Sequence, residues 1–242
     1  MTTGRHAAGL AVALAVVALL AGCGGLADRL PGRGATSSTS STPSAVPVTG
    51  APGTALAALD TLPVRPFAVV DGYQRAAFGQ RWADVDRNGC DTRNDVLRRD
   101  LVDTTLDPRT HGCVVRTGTL VDPYTGQRLP FLRGPATSPD VEIDHVVALA
   151  AAWRTGAATW TPQRRERFAN DPLNLLATSR AANQGKGGSD AAQWLPPLAA
   201  ARCPFVARQV AVKQRWALSV TPAERDAVRR VLATCRDQRL PG

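Results

Sequence analysis

The chain has no C-x-x-C pair, no H-E-x-x-H, no G-x-S-x-G and no Walker loop. The cysteine pairs of zinc fingers, the metal site of zincins, the nucleophile elbow of serine hydrolases and the phosphate cradle of P-loop enzymes are therefore missing. Histidine is scarce: there are three in 242 residues, and only His111 and His145 lie beyond residue 22. That scarcity also argues against zinc. Acidic residues are outnumbered, 20 against 29 Lys and Arg, giving a net charge of +9 and a pI near 10.3. Such a balance points to a polyanionic partner, either nucleic acid or an anionic membrane surface. Internal repeats and regular βαβ alternation are also absent. With 44% hydrophobic residues, the length allows one sizeable globular domain, and its mixed short strands and helices indicate an α+β fold.

No apolar run reaches the ~20 residues of a stable membrane-spanning helix. The first 22 residues, MTTGRHAAGLAVALAVVALLAG, instead carry one Arg before a stretch of small and apolar residues, the layout of an export signal. The junction LLAGC resembles a bacterial lipobox. The resemblance implies cleavage before Cys23, a diacylglyceryl group on its thiol, and a membrane-anchored protein on the outer face; plain secretion with Cys23 unmodified is the alternative. Removing residues 1–22 takes away only Arg5 among the charged residues, so the basicity belongs to the remainder. Four cysteines are then left, an even number that suits two disulfides in an exported chain. The expected pairs are Cys90 with Cys113 and Cys203 with Cys235, each within one local segment, and each loop is worth about 3 kcal/mol on a chain-entropy account.

Residues 23–60 include a Ser, Thr, Pro, Gly and Ala tract that reads as a flexible tether, and the folded domain is expected over 61–242. DTRNDVLRRDL (91–101) reads as a helix, and residues 111–131 as a hairpin around DPYTG. VEIDHVVALAAAW begins extended and turns helical. TPQRRERFAND opens with a Thr cap and Pro. PLNLLATS reads as a short strand or turn and RAANQGKGGSD as a helix start or Gly-rich loop. Two amphipathic helices close the chain, the second with Thr221 and Glu224 in a capping box.

An Asp and a His adjoin in SPDVEIDHVVALAAAW, where an apolar run begins. Downstream, FANDPLNLLATSRAANQGKGGSDAAQWLPP supplies Asn174, Asn183 and Lys186. The order Asp-His, Asn, then Asn with a nearby Lys resembles the HNH endonucleases. More closely it is similar to the family typified by the C-terminal domain of the GmrSD restriction enzymes, with exported actinobacterial relatives, over roughly residues 61–242. That resemblance implies a ββα-metal core within a mainly helical domain. It also implies a metal-dependent endonuclease acting on nucleic acid, DNA more than RNA, with little sequence preference; it implies nothing about a protein partner.

Chemistry gives each residue type a reason. Phosphodiester hydrolysis needs a deprotonated water and neutralisation of charge on the leaving oxygen. His145 is the expected general base, since imidazole titrates near neutrality, and Asn174 the residue orienting it. Asp144 and Asn183 offer hard oxygens for one Mg²⁺ or Mn²⁺; the family pattern's third His is replaced by Asn183. Lys186, among glycines, and Arg93, in a DVDRNGCDTRND segment that resembles one in related exported proteins, are expected to face substrate. Asp84, Asp86, Asn88 and Asp95 match part of an EF-hand-like loop, a minority reading because Asp95 stands where a Glu is usual. Asp190 and Trp194 are expected to support the fold, and His111 to be a loop residue. Residues 200–242 hold nine Lys or Arg against three Asp or Glu, which could form a phosphate-tracking face. The competing function is a non-catalytic surface lipoprotein that binds polyanions through that face.

Overall fold

A computed structural model describes residues 50–241. The leader at 1–22, Cys23 and the tether up to residue 49 lie outside the described residues. Order begins before residue 61. Thr54 caps helix α1 (Ala55–Asp60) by accepting from the Ala57 N–H, and Ala55, Leu56 and Leu59 are buried. The Ser- and Pro-rich sequence upstream hid this short apolar stripe.

The helix expected at 91–101 is α2 (Thr92–Asp100), capped by Asp91, which accepts from both N–H groups of Asn94 at 2.9 and 2.6 Å. It runs into strand β1 (Leu101–Leu106), which pairs antiparallel with β2 (Val115–Val121), and β2 pairs with β3 (Arg128–Leu132). The β2–β3 hairpin was legible. β1 was not, because only Leu101 of its six residues is buried, so it has no apolar alternation to read.

A second sheet pairs β4 (Val141–His145) with β5 (Leu175–Ser179), antiparallel, from Val141 opposite Ser179 to His145 opposite Leu175. Between these strands lie α3 (Leu149–Thr155) and α4 (Pro162–Ala169), the latter capped by Thr161. Helix α5 (Arg180–Lys186) follows β5 directly, its first turn capped by Ser179. The unit around His145 is thus two antiparallel strands and a helix. α6 (Arg202–Trp216) and α7 (Pro222–Leu232) complete the fold, and the Thr221–Glu224 capping box is present.

Three apolar clusters hold these parts. Val96 and Leu97 of α2 join both sheets through Leu120, Phe131, Ile143 and Leu175. A second cluster packs α1, α6 and α7 around Tyr124 and Val146. The third sets Phe78 and Phe168 against Trp153, Trp160 and Trp216 among aliphatic residues such as Val147, Leu149 and Leu218. Disulfides join Cys90 to Cys113 and Cys203 to Cys235, the expected pairs. Among the described residues no helix is long and apolar enough to cross a membrane.

Candidate active site

Strand alternation sends Val141 and Ile143 of β4 into the core and turns Glu142 and Asp144 to the other face. Helix α5 covers that face, and its residues 183 and 186, one turn apart, meet the two carboxylates. Asn183 Nδ2 donates to Glu142 Oε2 at 2.6 Å, and Lys186 Nζ donates to Asp144 Oδ1 at 2.9 Å. Lys186 also donates to the His145 carbonyl at 2.8 Å. The second oxygen of Asp144 accepts from the Tyr124 hydroxyl at 2.7 Å. Burial, reinforced by this carboxylate, pushes the Tyr124 phenol well above its ordinary range, so it stays a donor.

Lys186 is therefore not a loop lysine reaching for phosphate. Its side chain is fully buried, and its ammonium is the counter-ion of Asp144. Gly185 lies within α5, and Gly187, at φ 53°, ends the helix rather than opening a phosphate loop.

His145 ends β4 and is 7% exposed. Its Nε2 lies 2.9 Å from the Ala169 carbonyl. A carbonyl only accepts, so in the neutral ring the proton sits on Nε2 and the lone pair on Nδ1. Burial, helped by Arg75 and Lys186 and opposed by the Ala169 carbonyl and Asp144, pulls the imidazole down to about 4. The ring is neutral at pH 7.

Asn174 was expected to orient that ring. Its amide instead clasps the backbone just beyond it: Oδ1 accepts from the Val147 N–H at 2.8 Å and Nδ2 donates to the Val147 carbonyl at 3.3 Å. The Val146 N–H reaches the Asn174 carbonyl at 2.8 Å. Asn174 fixes the turn leaving β4, while Ala169 at the end of α4 holds the imidazole. No side-chain pattern could have announced a backbone carbonyl.

Asp144, His145 and Asn183 line one cavity of about 240 Å³, together with Arg75. A second, of about 500 Å³, shares Arg75, Ile143 and Asn183 and adds Arg81, Trp82, Arg93 and Glu142. A third, small pocket brings Arg75, Arg81, Trp82 and His145 together. Arg75 thus borders all three, and no hydrogen bond or ion pair holds it among the described residues. The loop carrying it is pinned to α4 and its end, where Arg165 Nε donates to the Ala77 carbonyl at 2.8 Å and Asn170 Nδ2 to the Gln80 carbonyl at 3.1 Å. Gly79 is needed here: at φ 75°, a Cβ would come within 2.3 Å of the Glu166 carboxylate. Arg93 borders the groove while donating to the Ser138 and Val141 carbonyls at 3.2 and 3.0 Å. Burial, and then Arg133 nearby, lowers its pKa from the ordinary value.

The donor set suits a hard divalent cation. Asp144 contributes a carboxylate with lone pairs beyond those taken by Lys186 and Tyr124. Asn183, its amide nitrogen committed to Glu142, presents Oδ1 as an acceptor. Among the described residues no three His, Cys, Asp or Glu are grouped to hold a metal, so waters and phosphate oxygens would fill most of the shell.

The remaining candidates fall elsewhere. Asp84 and Asp86 use their carboxylates to accept from the Asn88 and Gly89 N–H groups, closing a turn. His111 is a loop residue at φ 53°. Asp190 accepts from the Ala192 N–H, and Trp194 packs edge-on against Tyr124 at 5.2 Å. Four of the nine basic residues of the C-terminal segment are engaged within the fold, while Arg230, Arg236 and Arg239 are exposed. Lys213 is buried against Glu224 at 2.7 Å, Arg208 donates to the Leu173 carbonyl, Arg215 pairs with Asp171, and Arg202 donates to the Pro196 carbonyl. Composition counted these charges without showing that the fold uses them.

Sequence missed Tyr124, Glu142, Arg75 and Trp82. Tyr124 read as part of a turn, Glu142 lies two residues before Asp144 and was a findable same-face partner, and Arg75 and Trp82 approach the site only through the tertiary fold.

Residues 91–231 match the family of the C-terminal domain of GmrSD restriction endonucleases. An "uncharacterized secreted protein" of Arthroderma benhamiae is 39% identical over 184 residues, spanning 75% of this chain and 85% of that protein. No solved structure matches.

Proposed function

For a chain that belongs to the family of GmrSD restriction endonuclease C-terminal domains, and so has a nuclease-related role, we propose a metal-dependent endonuclease that hydrolyses nucleic-acid phosphodiesters. The observation that carries this reading is the convergence of Asp144, His145 and Asn183 on one cavity that also contains Arg75. The strand–strand–helix order of the unit supporting them, β4, β5 and α5, favours reading it as a ββα-metal core.

In this reading His145 is the general base. With Nε2–H held by the Ala169 carbonyl, Nδ1 is the nitrogen that takes a proton from the attacking water. Asn174 keeps the imidazole in place through the Val147 backbone. Asp144 and Asn183 would hold one Mg²⁺ or Mn²⁺, which when bound neutralises charge on the phosphate and the leaving 3′ oxygen. Lys186 and Tyr124 orient the Asp144 carboxylate from the protein side, the role of outer partners in metal sites. Arg75 and Arg93 replace the C-terminal helices as the residues that face substrate. Contacts of this kind are made to the backbone, so sequence preference should be slight. The two disulfides and the secreted relative support an extracellular site of action, with lipid on Cys23 as the proposed anchor.

The test is incubation of the purified chain with plasmid and Mg²⁺ or Mn²⁺, with and without EDTA, beside His145→Ala. Cleavage abolished by both treatments is expected. Metal-independent cleavage, or nucleic-acid binding without cleavage under any of these conditions, would overturn the reading; the latter outcome would favour a polyanion-binding protein.

A further inference from the structure

We propose that the groove beside the site is a track for single-stranded nucleic acid, with backbone phosphates on Arg75 and Arg81 and one base stacked on Trp82. The proposal rests on the nuclease reading for its purpose but not for its evidence.

Two independent features carry it. The first is positive charge that no carboxylate or carbonyl of the described residues engages. Arg75 has no hydrogen bond or ion pair among the described residues, yet it lines both the cavity of Asp144 and His145 and the larger groove that adjoins it. Arg81 lines the same groove, its guanidinium carbon 5.6 Å from the centroid of the Trp82 ring. A guanidinium without a carboxylate is a phosphate site in waiting. The one carboxylate in the groove, Glu142, is already engaged by Asn183 at 2.6 Å and faced by Arg180 at 3.7 Å.

The second feature is the aromatic. Trp82 packs partly against the cluster of Val96 and Leu97 and is otherwise turned to the groove. Its backbone sits at φ 58°, a conformation a bulky residue rarely adopts. A partly exposed ring beside guanidinium groups that no carboxylate engages is how proteins hold single strands: the groove tracks the backbone and the ring takes a base face.

The depth of the site favours a single strand over a duplex. His145 is 7% exposed, so a phosphate must enter the cavity to meet it. A flexible strand can splay its nucleotides to do so, whereas paired and stacked bases resist it.

The test measures binding apart from cleavage, in EDTA. Fluorescence anisotropy of the full chain with labelled oligonucleotides of ~12 nucleotides, within the usual span of such sites, would compare single-stranded DNA, single-stranded RNA and duplex DNA. Single strands should bind at least about tenfold more tightly than duplex, and Trp82→Leu should lose roughly tenfold on single strands alone. Arg75→Gln should flatten the salt dependence by about 0.7 in log–log slope, the value of one phosphate contact on a single strand. The ratio of the DNA and RNA arms identifies the sugar preferred. Equal affinity for duplex and single strand overturns the track, as does a folded Trp82→Leu variant that binds normally. If Trp82→Leu does not fold, an unchanged salt slope in Arg75→Gln overturns it. Tight single-strand binding with no cleavage after metal is added sinks the nuclease reading and leaves the track standing; metal-dependent cleavage without single-strand preference does the reverse.

Discussion

Lys186 Nζ sits 2.9 Å from Asp144 Oδ1, with their side chains 0% and 4% exposed. Neither charge could be left alone at that depth. Removing one partner of a buried pair strands the other charge and typically costs about 3–5 kcal/mol, whereas deleting a solvated surface lysine changes stability by about 0.5 kcal/mol or less. Lys186→Met is therefore expected to lower the denaturation midpoint substantially as well as impair activity. Chemical denaturation of the metal-free protein measures it, and a loss below about 1 kcal/mol would return Lys186 to a phosphate-binding role.

Asn174 makes its contribution through Val147. It is fully buried and satisfies both the N–H and the carbonyl of that residue. Asn174→Ala leaves two buried backbone groups unpaired, at about 1–3 kcal/mol each, and loosens the turn that leaves His145. The expected signature is a fall in stability together with a fall in kcat. Asn174→Asp keeps an acceptor for the Val147 N–H but sets a buried, unpaired carboxylate against the Val147 carbonyl, so it should be at least as destabilised as Asn174→Ala.

Tyr124 donates to Asp144 from a ring wedged edge-on between Trp194 and Phe205, with centroids 5.2 and 5.4 Å away. Tyr124→Phe preserves that packing and deletes one hydrogen bond to a buried carboxylate. Outer partners of this kind typically alter metal affinity by about 10–100-fold. Titration of activity with Mg²⁺ or Mn²⁺ should show a raised half-saturating concentration, alongside a lower thermal midpoint from the loss of one buried hydrogen bond, about 1–3 kcal/mol. An unaltered metal requirement would mean that Asp144 does not hold the ion.

The legible parts of this protein were those written in local chemistry. Thr161 and Pro162, Asp91, and Thr221 with Glu224 announced helix starts, and each caps its helix. The Asp-His and Asn residues were legible as types in order, and three of them meet at one cavity. What they touch was not legible, because contacts across 41 residues, such as Lys186 with the His145 carbonyl, are set by how α5 lies on β4. Backbone partners such as Ala169 leave no mark in a sequence. Charge was the least transferable quantity: the C-terminal segment is rich in arginine, yet Arg202, Arg208 and Arg215 reach carbonyls or a carboxylate within the fold, while Arg75 stands apart.

That last contrast can be tested. Binding to nucleic acid through the C-terminal helices would require groups such as Arg230 and Arg236, both exposed, to contact phosphates. Each such contact would contribute about 0.7–0.9 to the slope of log affinity against log salt. The double variant Arg230→Gln, Arg236→Gln should instead keep the wild-type slope, because neither residue lines the cavities around His145. Loss of one to two units of slope in that variant would place substrate on α7 and the turn after it and restore the C-terminal segment as the binding face. The same salt titration applied to Arg93→Gln carries the opposite expectation, because Arg93 borders the groove while donating to the Ser138 and Val141 carbonyls. Removing it should weaken binding and reduce stability together.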